Sequence, residues 1–437
     1  MAKGQIIAGI DVGTDKICTI IASISPDTDK TNVIGVSSLP SAGLRKSQIV
    51  DIEDAIRAIT ESVEAAERMA GYSLQRAFVT IGGAQISSQN SKGVVAVSEP
   101  EGEIIPEDVA RVIEAARAIS MPASREILHV IPRDFVVDSQ EGIKDPIGMT
   151  GVRLEAETHI VTAATTATKN LTKCVSEIGV DVEALVFSGL AASYATVSET
   201  ERELGVVLVD IGAGATSICI FAEGSLAHSA VLPVGARNIT NDLAIGMRVS
   251  LASAEIIKKN LAGAAERPLD PVTDETTNDR VKRRKKQDEI DLTKLGLKED
   301  IKTASIKTLT EGIIRPRLNE IFNMVGRELK RSGYGGATPA GVVLTGGGAQ
   351  THGIVDAAKR TLSMPTRIGV PKGLYGLVDE IETPAYAASM GLILYGLKTG
   401  TPKPSRPGLP HFTPRLGKLP GKGLVNKLID LAKSFLP

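Results

Sequence analysis

A chain of 437 residues is too long for one ordinary hydrophobic core and fits roughly three domain-sized units. Its 42% hydrophobic and 23% charged residues are those of a globular protein, and no apolar run approaches the ~18–20 residues that cross a bilayer. A formal net charge of −1, no Trp and 3% aromatic residues leave neither the field nor the stacking surface of a nucleic-acid binder.

The start of the chain, Met1-Ala2-Lys3-Gly4, leads straight into a strand-like segment, so no secretory signal peptide is expected. Ile6-Ile7-Ala8-Gly9-Ile10-Asp11-Val12-Gly13-Thr14 reads as a short buried strand ending in Asp-x-Gly-Thr, and strand-like Ile17–Ser25 and Val33–Leu39 follow. Ile52–Ala70 has the apolar spacing of an amphipathic helix. Residues 84–158 have the look of an inserted subdomain, with strand-like Gly93–Ser98, a helix over Pro106–Ser120 and strand-like Glu126–Val137. Val206-Val207-Leu208-Val209-Asp210-Ile211-Gly212-Ala213-Gly214-Ala215-Thr216 then repeats the opening device about 200 residues on, again followed by two strand-like runs, Ser217–Glu223 and Ser225–Pro233. Strand, glycine turn, strand, strand and helix are thus written twice, which predicts a duplicated α/β unit whose halves face each other across a cleft.

Two long helices are expected over Asn238–Asn260 and Ile301–Ser332, flanking a polar stretch at 264–300 that carries Lys282-Arg283-Arg284-Lys285-Lys286 and reads as a solvated loop. Val342-Val343-Leu344-Thr345-Gly346-Gly347-Gly348-Ala349 is a strand running into three glycines ahead of a helix. Residues 399–420 hold six prolines and read as an extended linker. Residues 399–437 carry seven Lys/Arg against one acid, Asp430, a local +6 that leaves −7 on the body. Cys18, Cys174 and Cys219 lie far apart in apolar stretches, which argues against a disulfide scaffold or a cysteine metal site and fits a reducing cytoplasm; the five histidines are equally scattered.

The glycine turns carry the chemistry. In Asp11-Val12-Gly13-Thr14-Asp15-Lys16, backbone N–H groups and the Thr14 hydroxyl can approach phosphate oxygens, with Lys16 as countercharge. The turn from Asp210 to Thr216 can do the same from the opposite half, and the triple glycine lets bare backbone lie against a ring or a phosphate. Asp11 and Asp210 would then face each other over the phosphates, where a hard cation such as Mg²⁺ fits through water. One Asp-x-Gly is more often a plain tight turn; two in matching phase, plus the third turn, are a stronger signal. Neither a Walker loop nor a Rossmann fingerprint occurs.

In this order the three turns resemble the two phosphate motifs and the adenosine motif of the actin, Hsp70 and sugar-kinase superfamily. The stretch Gly9–Cys18, the segment Ile314-Arg315-Pro316-Arg317-Leu318, Val343–Ala349 and the last helix are similar to the FtsA family of actin-like bacterial cell-division proteins. That resemblance implies an α/β fold of duplicated actin-like, ribonuclease H-like halves around a nucleotide cleft, with an inserted subdomain and a C-terminal amphipathic helix. It places a first core at 1–83 and 159–192, the insert at 84–158, a second core at 193–235 and 333–398, an outer subdomain at 236–332, the linker at 399–420 and the helix at 421–437. It also implies that Asp11, Gly13, Thr14 and Lys16 line the phosphates of ATP, with Asp210, Gly212, Gly214 and Thr216 opposing them. Gly346, Gly347 and Gly348 would contact the adenosine, and Glu255 and Lys258 the ribose and adenine. Where many superfamily members carry a Glu or Gln that positions the attacking water, this chain has Ser188-Gly189-Leu190-Ala191-Ala192-Ser193, and Ser188 has no evident base. ATP binding with slow or negligible hydrolysis is the expectation.

In Lys422–Leu436, Leu424, Val425, Leu428, Ile429, Leu431, Ala432, Phe435 and Leu436 fall within an arc of roughly 160°, with Lys427 and Lys433 near its borders. Such a stripe can enter the acyl boundary of an anionic membrane while the lysines snorkel to head groups. A helix docked on the body is the commoner use of a terminal helix, but the proline-rich linker and basic flank favour the membrane. One helix gives only marginal anchoring, at about 1 kcal/mol per Lys and ~1 kcal/mol per half-buried apolar side chain; many copies on a filament hold far more firmly. The resemblance accordingly implies a self-associating tether between the cytoplasmic membrane and the tubulin-like FtsZ at the division site, with later division proteins recruited to it. Arg315 and Arg317 are candidate partners for the acidic FtsZ tail peptide. Two other readings remain: an actin-like pilus-assembly ATP binder, and a small-molecule kinase of the same superfamily, which the Ser188 position disfavours. A chaperone of the Hsp70 type would need a peptide-binding β domain that the chain lacks.

Overall fold

The structure is a computed structural model and describes residues 5–25, 30–98, 102–264 and 288–399. The expected membrane helix, the linker beyond Thr399 and the Lys282–Lys286 run lie outside those residues.

The echo in the sequence is an echo in topology. In the first half Gln5–Val12 pairs antiparallel with Lys16–Ile24, which pairs antiparallel with Thr31–Pro40. On the other side of Gln5–Val12, Arg76–Ile81 and then Asp181–Phe187 add in parallel. In the second half Val206–Ile211, Thr216–Ala222 and Ser225–Leu232 form the antiparallel trio, and Val342–Thr345 and Thr366–Ile368 add in parallel in the same order. The strands that lead into the turns are covered on both faces, so they are written as apolar runs rather than alternations; Val206, Val207, Leu208 and Val209 are all fully buried.

Ile52–Ala70 covers the first sheet. Asp51 caps it by accepting from the Asp54 N–H at 3.0 Å, and Gly71 ends it in the left-handed region at φ 62°. Buried helix Ser188–Thr196 carries the chain from the first half into the second. The chain returns at Tyr375–Gly376, which pairs with Thr31–Pro40 of the first sheet, so the second half does not extend to residue 398. Helix Ala387–Thr399 packs on the first sheet and on helix Ser188–Thr196. Their backbones approach so closely at Gly391 that a Cβ there would lie 1.8 Å from the Ala191 carbonyl oxygen.

The insert is a four-stranded sheet ordered Ser87–Ala96, Arg153–Ala164, Arg125–Val137 and Gln140–Ile143, with helix Pro106–Arg117 packed on it. Its strand Arg153–Ala164 runs unbroken past residue 158, where the sequence reading ended the insert.

Two expected helices are corrected. Asn238–Asn260 is not one helix but two, Ala236–Met247 and Leu251–Ala264, because Arg248 turns into the left-handed region at φ 56°. Ile301–Ser332 divides into a short strand Thr303–Ser305, a π-turn Thr308–Ile314 and an α-helix Arg315–Ser332. Pro316 supplies the reason: it has no N–H to return to the preceding turn, and the Arg315 N–H reaches five residues back to the Thr310 carbonyl. The end of the expected loop is also structured, since Glu289–Asp291 pairs antiparallel with Thr303–Ser305.

Candidate functional site

The two phosphate-type turns are the same object built twice. The Gly13 N–H donates to the Lys16 carbonyl at 3.0 Å, and the Gly212 N–H to the Ala215 carbonyl at 2.9 Å. At Gly13 a Cβ would lie 2.8 Å from the Lys16 oxygen, and at Gly212 3.1 Å from the Ala215 oxygen. The second turn is tied to the helix behind it, because Ala236 and Arg237 donate to the Gly212 and Ala213 carbonyls, both at 2.9 Å.

Asp11 is firmly held. Thr80 Oγ1 donates to its Oδ1 at 2.7 Å and Ser389 Oγ to its Oδ2 at 2.8 Å. Asp210 has no such support: burial first, and the Asp11 charge second, push its carboxyl up to about 7, against the pull of Lys16. The Lys16 ammonium is buried without a hydrogen-bond partner among the described residues and stands over the Tyr386 ring, 3.0 Å from its centroid. Burial pushes its pKa down, while Cys18, Asp11, Asp15 and Asp210 pull it up. A cation without a hydrogen-bond acceptor and an under-compensated carboxylate in one cleft are a matched deficit, which a polyanion with its counter-cation would fill.

The other candidates divide. Thr14 is buried and its Oγ1 accepts the Ser47 N–H at 2.8 Å. Gly214 sits against it, since a Cβ there would be 2.9 Å from Thr14 Oγ1 and 2.8 Å from Lys46 Cα. Thr216 is fully buried with its hydroxyl donating to the Val234 carbonyl at 2.8 Å, which commits it to the second half's own packing. Among the three glycines, Gly346 and Gly348 are required by contact with the end of the neighbouring strand Val206–Ile211: Cβ atoms there would meet Asp210 Oδ1 and Ile211 Cγ2. Gly347 alone is open, with its nearest neighbour 3.9 Å away. Glu255 and Lys258 form a closed network in which Lys258 Nζ donates to Glu255 Oε2 at 2.7 Å and to Thr240 Oγ1 at 2.8 Å, while Thr240 donates to Glu255 at 2.6 Å. Ser188 Oγ lies 3.3 Å from Ser217 Oγ.

Arg315 and Arg317 are engaged within their own half. Arg315 pairs with Glu311, and Arg317 grips Asp242 at 2.6 and 2.9 Å while also pairing with Glu320. Beside them a groove of about 440 Å³ is lined by Pro316, Asn319, Glu320, Asn323, Met324 and Arg327. The cation there that forms no ion pair among the described residues is the exposed Arg327, which the sequence reading did not single out. Thr80, Ser389, Tyr386 and Lys46 were missed too.

A chain of Ser229 Oγ, His159 and Asn90, at 2.9 and 2.6 Å, has the order of a hydrolase triad. Ser229 is 2% and His159 0% exposed, so no substrate reaches it; it joins the insert to the edge strand of the second half. Burial holds His159 down at about 3, which keeps it neutral.

Two ribonuclease H-like halves with mirrored turns across a cleft define an actin-like protein. Comparisons narrow the class. The model of an "SHS2 domain inserted in FTSA" matches residues 83–162, and that of "Cell division protein FtsA" matches residues 207–391. Cell division protein FtsA of Pseudomonas aeruginosa is 39% identical over 403 residues, covering 91% of this chain and 90% of that protein. The Bacillus subtilis protein of that name is 36% identical over 91% of this chain and 85% of its own length. The chain belongs to the FtsA family of cell-division proteins. Among solved structures, a PilM-PilN type IV pilus biogenesis complex aligns with a TM-score of 0.61 at 17% identity, over 90% of this chain and 98% of that one. MreB5 of Spiroplasma citri bound to AMPPNP aligns with a TM-score of 0.50 at 12% identity, over 90% and 97%. These two share the fold.

Proposed function

We propose that this actin-like division protein binds ATP with Mg²⁺ between its two turns, self-associates, and tethers FtsZ to the anionic cytoplasmic face of the membrane at the division site, where later division proteins join it. The observation that carries the nucleotide part is a buried Lys16 ammonium with no hydrogen-bond partner among the described residues, set with a poorly compensated Asp210 across matched glycine turns. In this reading Lys16 and the backbone N–H groups of both turns hold phosphate oxygens. Asp11, oriented by Thr80 and Ser389, and Asp210 hold the cation through its water. Mg²⁺, when bound, neutralises phosphate charge and allows both carboxylates to stay ionised. Gly347 offers open backbone to the adenosine. Ser188 lies beside a second hydroxyl, Ser217, and is no base at neutral pH, while Asp11 and Asp210 serve as holders of the cation and its water, so hydrolysis is slow or negligible.

The FtsZ tail peptide docks on the outer subdomain, along the groove beside Arg315, Arg317 and Arg327, where Arg327, which forms no ion pair among the described residues, adds a free charge for an acidic segment. The membrane part rests on the sequence of 421–437 and on its FtsA kinship. No helix among the described residues is long and apolar enough to cross a membrane. Calorimetric titration of ATP into the full chain tests the nucleotide part: binding to one site that weakens when Mg²⁺ is chelated is expected, and the absence of any binding would contradict it.

A further inference from the structure

We propose that Lys46 and Ser47, the tip of a small hairpin, form a terminal-phosphate clamp that distinguishes a nucleoside triphosphate from a diphosphate. The inference rests on the nucleotide reading above and adds the group that senses the last phosphate.

The hairpin pairs Leu44 with Ile49 and Arg45 with Gln48. That leaves a two-residue turn whose members both lie in the left-handed region, Lys46 at φ 50° and Ser47 at φ 59°. Such a mirror-image turn is normally written Asn-Gly, because side chains with a Cβ are strained there. Lys-Ser in its place is held from outside. The Ser47 N–H donates to Thr14 Oγ1 at 2.8 Å, and Gln85 Nε2 donates to the Ser47 carbonyl at 3.2 Å. On the opposite side Gly214 is pressed against the tip, since a Cβ there would lie 2.8 Å from Lys46 Cα and 3.1 Å from Lys46 N. The tip therefore touches the phosphate turn of each half at once.

Its position along the cleft follows from the second turn. The Asp210 end of that turn abuts Gly346, at the proposed adenosine side, and the Gly214 end abuts Lys46. Lys46 thus stands at the end remote from the adenosine, where the last phosphate of a triphosphate falls. Its side chain is exposed and makes no ion pair among the described residues. A phosphate at that end gains the Lys46 charge and competes with Thr14 for the Ser47 N–H. A diphosphate stops short of both. Because the tip bears on both turns, the same contact favours the closed cleft.

The test is calorimetric titration of the full chain with MgATP and, separately, MgADP, in the wild type, Lys46→Asn and Lys46→Arg. Asparagine tolerates the left-handed turn while removing the charge; arginine keeps the charge. Lys46→Asn is expected to weaken MgATP about tenfold and MgADP far less, while Lys46→Arg keeps the wild-type ratio. Equal weakening of both ligands in Lys46→Asn, or no change in either, overturns the clamp and leaves the nucleotide site standing. A wild-type chain that binds neither ligand overturns the nucleotide reading and the clamp with it. Thermal melting of each variant separates lost folding from lost contact, and Lys46→Gly, which takes the left-handed turn without strain and also removes the charge, carries the comparison should Lys46→Asn unfold.

Discussion

Asp210→Asn is expected to stabilise the nucleotide-free protein while impairing its ligand binding. The Asp210 carboxyl, raised to about 7 by burial and by Asp11, prefers its proton in the folded state. The stability this group contributes is complete below the carboxyl's ordinary range and is lost as pH rises through about 7. At pH 8 the wild type therefore holds an uncomfortable charge that asparagine removes. The gain should be about 1–3 kcal/mol, after discounting for the water that reaches the cleft. It should shrink towards nothing near pH 4, where the wild-type carboxyl is protonated as well. Binding moves the other way, because the cation loses one of its two anionic holders; MgATP affinity should fall tenfold or more. Melting curves at pH 5 and pH 8 with calorimetry on the same samples check both signs. A variant destabilised at pH 8, or one that binds MgATP as tightly as the wild type, would sink this account of Asp210.

Gly391→Ala should destabilise strongly, although Gly→Ala inside a helix ordinarily gains about 1 kcal/mol. The new Cβ would lie 1.8 Å from the Ala191 oxygen and 2.5 Å from its carbon, and both belong to backbone in the partner crossover helix. No rotamer change can relieve that contact, so the two helices must separate. A cost of about 3 kcal/mol is expected, at the upper end of ordinary overpacking. Gly312→Ala is the control, because nothing lies within 4 Å of its added methyl. Denaturant unfolding of both variants decides. A neutral or stabilised Gly391→Ala would mean that the two helices are not in backbone contact. Since Ser188–Thr196 joins the halves, the same variant should loosen the cleft and weaken nucleotide binding.

What was legible in the sequence was local. The strands into the turns are buried on both faces, so Val206–Val209 announce themselves as an unbroken apolar run, and the Asp-x-Gly turn marks where each run stops. Ile52–Ala70 is bounded by a capping Asp51 and a terminating Gly71, and both are readable by eye. The helix break at Arg248 is marked only by Ser250, which caps the next helix by accepting from the Ser253 N–H at 3.2 Å, because the arginine in the left-handed region is itself neither glycine nor proline. The tip at Lys46 and Ser47 was hidden for the same reason, since its turn lacks the Asn-Gly spelling. Thr80 and Ser389 orient Asp11 from 69 and 378 residues away, a juxtaposition only tertiary structure creates. Motif position points to Thr216 and Arg317 but does not show the contacts they make in the fold, with the Val234 carbonyl and the Asp242 carboxylate.

Co-sedimentation with anionic vesicles in the presence of MgATP tests the tether most directly, with the full chain compared with a truncation after Lys418 and FtsZ added to each. The account predicts that the full chain pellets with vesicles and brings FtsZ down, and that the truncated chain leaves both in the supernatant. If neither form pellets, or both pellet alike, residues 419–437 are not the anchor and the tether is contradicted.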